Sequence, residues 1–91
     1  MLKRNLESEV RQAVLTYNEV TEGLRVAESA LASATEQAKL VQQKYNVGSA
    51  TILDLIDAQV QLVRAKSDRV SALAAIRVAE ANIERVRGAA Q

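Results

Sequence analysis

An all-α fold, an antiparallel two-helix coiled-coil hairpin, is what this chain predicts, and three observations predict it. Two long arms place apolar residues at heptad spacing, one short glycine-containing reversal lies between them, and no proline interrupts any of the 91 residues. The first helix is expected over about residues 3–46, the apex turn over about 47–50 and the second helix over about 51–87, as one hairpin filling residues 1–91. Ninety-one residues make at most one domain, near the size at which a single core becomes marginal. Tyr17 and Tyr45 are the whole aromatic content. Many small aliphatic contacts must therefore hold the fold.

In the first arm, apolar residues alternate at steps of four and three: Leu6, Val10, Ala13, Tyr17, Val20, Leu24, Ala27, Leu31, Ala34, Ala38, Val41 and Tyr45. That is the a/d seam of a coiled coil. Gly23 lies inside the arm and costs about 1 kcal/mol relative to alanine in a helix interior. The expectation is close packing there, or a slight bend, rather than a break.

The second arm carries the matching seam Leu55, Ala58, Leu62, Ala65, Arg69, Ala72, Ile76, Ala79, Ile83 and Val86. Large and small residues alternate along it, which lets two helices approach and interdigitate. Only Arg69 departs, and a snorkelling side chain accounts for it better than a ligand-binding role. The same arm carries a second stripe: Leu53, Ile56, Val60, Val63, Ser67, Val70, Ala74, Arg77 and Ala81. At 100° per residue it lies roughly 150° around the helix from the seam. Leu53, Ile56, Val60, Val63 and Val70 are thus candidates for lateral helix packing. Polar strips separate the two stripes, one with Asp54, Asp57, Gln61, Arg64 and Asp68, the other with Gln59, Lys66, Glu80 and Arg87. A helix with neighbours on both flanks and water on both faces suits the wall of an α-barrel. A helix inside a four-helix bundle also has two neighbours, but there the stripes converge toward one axis.

The reversal lies in the middle stretch from Lys44 to Gln59, within which Tyr45 to Leu53 is the longest run without a charge. Gly48 suits the left-handed residue that ends a helix. Ser49 or Thr51 can cap the next, and Thr51-Ile52-Leu53-Asp54 fits a capping pattern with an acid near the positive helix terminus. Tyr45 ends the first seam, either as its last core residue or as a hydroxyl offered to a neighbouring chain. Asp54 and Asp57 share a polar strip. Capping explains the first, while repeated copies in a ring would make an acidic collar.

Several function classes drop out. Formal charge is +1 with both signs interspersed, so no basic stripe serves nucleic acid. No apolar run approaches the ~18 to 20 residues that span a bilayer, so direct membrane insertion is not expected. Histidine and cysteine are absent, so no metal site, cofactor or catalytic residue is expected and the chain reads as no enzyme. Met1 passing straight into helical pattern reads as the start of an excised piece, with any targeting signal outside it.

At the apex, Tyr45-Asn46-Val47-Gly48-Ser49 followed by Thr51-Ile52-Leu53-Asp54-Leu55-Ile56-Asp57-Ala58-Gln59 resembles the turn of TolC-like outer membrane efflux proteins. The flanks agree, with Asn5 to Ala13 similar to the start of that family's long helix and Ala81 to Gly88 to the close of the return helix. The resemblance implies a periplasmic hairpin, closer to the second repeat than the first, of a trimeric channel in a Gram-negative outer membrane. Each protomer of such a channel has a β-barrel portion and two hairpin repeats, and twelve helices make its tube. It also implies a partner, the hairpin tip of a periplasmic adaptor (membrane fusion protein) that links the channel to an inner-membrane pump. Val47, Gly48 and Ser49 match the docking turn, with Ala50 and Thr51 completing the tip. Asp54 and Asp57 match acids at the tube entrance, and Tyr45 matches a tyrosine that ties neighbouring coils in the closed state. Some members carry an arginine where this chain has Ala50, so that inter-coil link cannot form here. Two other readings stay open: the adaptor's own hairpin, and a free-standing coiled coil that pairs into a four-helix bundle. As an excised piece, the hairpin is expected to be soluble and to self-associate as a dimer or bundle.

Overall fold

The computed structural model describes residues 2–90, with side-chain surroundings for 7–88. Helix α1 spans Leu2–Asn46 and helix α2 spans Ile52–Ala90, so α2 continues through Gly88 for two further residues. Among the described residues there is no strand, and the fold is an antiparallel helical hairpin. Its contacts form two compact units, Arg25–Val70 around the reversal, and Met1–Leu24 with Ser71–Gln91.

In the unit around the reversal, the seam is closed by small residues. Ala38, Val41 and Ala58 form a buried cluster, with Ala50, Leu55 and Leu62 packed against it, and Ala65 is buried further along α2. Alanine at these positions lets the two backbones approach closely, and the adjacent leucines fill the spaces between. In the other unit the buried residues are Ala13, Ala79 and Val86, with Tyr17, Val20, Leu24, Ala72, Ile76 and Ile83 half-buried. Every α2 seam position from Leu55 to Val86 is buried or half-buried. Leu6, the first α1 seam position, lies outside the residues whose side chains are described.

Three expectations change. A Cβ on Gly23 would meet no heavy atom within 4 Å, so within this chain Gly23 does not mark close packing. α1 simply continues through it. Tyr45 is 39% exposed and is no core residue. Arg69 does not merely snorkel. Its Nε lies 3.6 Å from Oε2 of Glu28, joining α2 to α1 by an ion pair.

Candidate docking apex and lateral face

The reversal is built from backbone hydrogen bonds that the sequence dictates. Gly48 takes φ of 80°, in the left-handed region that glycine enters without steric penalty. That turn lets Ser49 N–H donate to the Lys44 carbonyl at 2.7 Å and Gly48 N–H to the Tyr45 carbonyl at 3.0 Å. The pair is a Schellman motif, which satisfies carbonyls that the end of α1 would otherwise strand. Beyond Ser49, Thr51 is the N-cap of α2. Asp54 N–H donates to Thr51 Oγ1 at 3.1 Å, and Thr51 N–H donates to Asp54 Oδ2 at 3.0 Å. This reciprocal capping box satisfies two orphan donors at once. Ala50 precedes the cap and Leu55 follows it at the fourth helical position. Both pack on the same buried cluster, from the two positions that a hydrophobic staple uses.

The apex therefore sorts its residues. Val47 is 77% exposed at the crest, with Gly48, Ser49 and Thr51 exposed beside it. Ala50 is half-buried against the Ala38–Val41–Ala58 cluster, so less of it is presented than of its neighbours. Asp54 is held by the cap, and the Thr51 backbone and hydroxyl hydrogen bonds, helped by the charge of Lys44, keep its carboxyl below the usual aspartate value. Asp57 is exposed one turn on. Both acids line a shallow groove with Gln37, Lys44, Ser49 and Gln61. The described residues contain no cluster of three or more histidine, cysteine or acidic side chains that could hold a metal.

The second stripe of α2 lies open. Leu53 is 73% exposed and Val63 64%, and Ile56, Val60 and Val70 are exposed as well. The hairpin thus leaves these aliphatics of α2 in water, while Leu55, Leu62, Ile76 and Ile83 are half-buried along the seam with its alanines and Val86. Sequence reasoning missed two features. The Glu28 partner of Arg69 depends on the stagger of the two helices, which no single-helix pattern reveals. The shallow α1 surface around Ala32, Ser33, Glu36 and Leu40 carries no heptad signal.

The fold and the site define a coiled-coil hairpin module, its internal seam filled and a second apolar face left open. The family model of outer membrane efflux proteins matches residues 3–89. The chain belongs to that family, one of transport channels rather than enzymes. No curated protein and no solved structure matches it. No described helix is long and apolar enough to cross a membrane.

Proposed function

We propose that this hairpin is a periplasmic tunnel segment of a trimeric outer membrane efflux or secretion channel, and that its apex docks to the hairpin tip of a periplasmic adaptor. The observation that carries the reading is the open α2 stripe from Leu53 to Val70, in a chain of the outer membrane efflux family. A hairpin alone has no use for a second apolar face of this size, whereas a tube wall needs one on each helix. In this reading Leu53, Ile56, Val60, Val63 and Val70 pack against the neighbouring helix of the tube. Val47, Gly48 and Ser49, flanked by Ala50 and Thr51, meet the adaptor. Tyr45 and Asp57, both exposed near the tip, face the entrance with Asp54. The hairpin binds and conducts, with no chemistry of its own.

The test is a titration of this hairpin, fused to a trimeric support, against the tip hairpin of a membrane fusion protein. One copy from a multivalent ring binds weakly, and the support restores avidity. Binding is expected for the native apex and should be lost when Val47, Gly48 and Ser49 are replaced by alanine or Gly48 by leucine, with helicity retained. Equal binding by native and altered apices removes docking from this turn. Absence of binding even on the trimeric support sinks the adaptor reading.

A further inference from the structure

The part of the α2 stripe nearest the apex runs Leu53, Ile56, Val60, Val63, Ser67 and Val70, at alternating steps of three and four, and all of it is exposed. This is again the spacing of a coiled-coil seam, here without a partner. α1 covers the other side of α2 through Ala58, Ala65 and their neighbours, which leaves room for a further helix on the stripe. A second α2 laid antiparallel, about a two-fold axis between Val60 and Val63, sets Val60 against Val63 of the second copy. Leu53 then meets Val70 of the second copy, and Ile56 meets the small Ser67. Each pair occurs twice, so the interface is self-complementary and closed.

The residues beside the stripe decide its direction. Asp57 and Arg64 flank it on one side, Gln59 and Lys66 on the other, and all four are exposed. Neither Asp57 nor Arg64 has an ion-pair partner among the described residues of its own hairpin. In the antiparallel pairing Asp57 faces Arg64 of the second copy, and Arg64 faces its Asp57. On the opposite rim Lys66 faces Gln59 of the second copy, so no like charges meet. In a parallel pairing the rims cross, bringing Asp57 to Ile52 of the second copy and Arg64 to its Gln59. Both charges would then lack an opposite partner. Rim charges of this kind add little to affinity, but they set which orientation is adopted.

We propose that the α2 stripe takes a second copy of this chain, in a two-fold antiparallel dimer with Asp57 and Arg64 paired reciprocally across it. The apices point in opposite directions in this dimer. It occupies the stripe that lateral packing in a tube would use, so one arrangement excludes the other. Lateral packing needs neither the two-fold axis nor the opposed apices, and each reading can fail without the other.

Two measurements test the dimer. Asp57→Arg alone sets like charges against Arg64 of the second copy, and Arg64→Asp alone sets them against Asp57. Each variant should dissociate on the order of tenfold more readily than the native chain in sedimentation, with helicity unchanged. An equimolar mixture of the two restores both opposite pairs and should regain native association as a mixed dimer. Single variants that associate like the native chain overturn the proposal, as does a mixture that recovers nothing. The chain has no cysteine, so a spin label on Val47→Cys reports the apex of the otherwise native dimer. The two labels should lie roughly 40 Å apart, against about 10 Å were the α2 helices parallel. The short distance overturns the antiparallel arrangement whatever the charge variants do.

Discussion

Asp54 sits at the third position of α2 and does two jobs in sequence terms, as a family acid and as a cap, and the structure shows the second in full. Its carboxylate accepts the Thr51 N–H, and its own N–H donates to the Thr51 hydroxyl. The folded-state pKa is lowered from 3.8, chiefly by the Thr51 backbone hydrogen bond and then by the Thr51 hydroxyl. A lowered folded-state value means that the stabilisation is present above 3.8 and is lost as pH falls through the lower folded value. Acid titration of helicity should therefore show a loss beginning below pH 3.8 that Asp54→Asn removes; identical titrations for the two chains would count against the cap as the cause. Gly23 is the opposite case, a residue with no visible duty. It lies exposed in α1 with open space where a Cβ would go. Gly23→Ala should stabilise the chain by about 0.5–1 kcal/mol through lost backbone freedom in the unfolded state and better helix propensity. Thermal unfolding measures it. A destabilised variant would show that another chain approaches α1 there.

At the scale of elements, what was legible in the sequence is what a single helix can express. The heptad spacing marked the α2 seam residue by residue, since a side chain at every third or fourth position must share a face whatever that face meets. The turn was legible for a similar reason. Gly48 and the Thr51–Asp54 spacing are local, and their hydrogen bonds span at most five residues. What the sequence withheld is relational. Tyr45 fits the seam by spacing, yet it is exposed one residue before the end of α1, and spacing carries no account of where a partner ends. Arg69 looked like an exception to its seam, and only the stagger of the helices reveals Glu28 beside it. The open stripe of α2 was visible as a pattern, and the seam that α1 occupies is the one the heptad spacing marked.

At the scale of the whole molecule, burial sets the behaviour of the isolated chain. No described side chain is fully buried, and the buried core consists of five alanines and two valines. At roughly 25 cal/mol per Å² of apolar surface, alanines contribute little each, so two helices pressed together on such a seam are marginally stable on their own. The exposed Leu53, Ile56, Val60 and Val63 supply the missing burial once a second surface covers them. Folding and association are then linked, and the thermal midpoint should rise with protein concentration, since mass action stabilises whatever the native state alone can bind. Replacing both Val60 and Val63 by Glu places two like charges on the open stripe without touching the seam, because both valines point away from α1. The doubly substituted chain should remain helical, run as a monomer in light scattering and show a midpoint independent of concentration. Survival of the oligomer in that variant would mean that the chain associates elsewhere. The α1 surface around Ala32, Ser33 and Leu40 would then be the face to alter next.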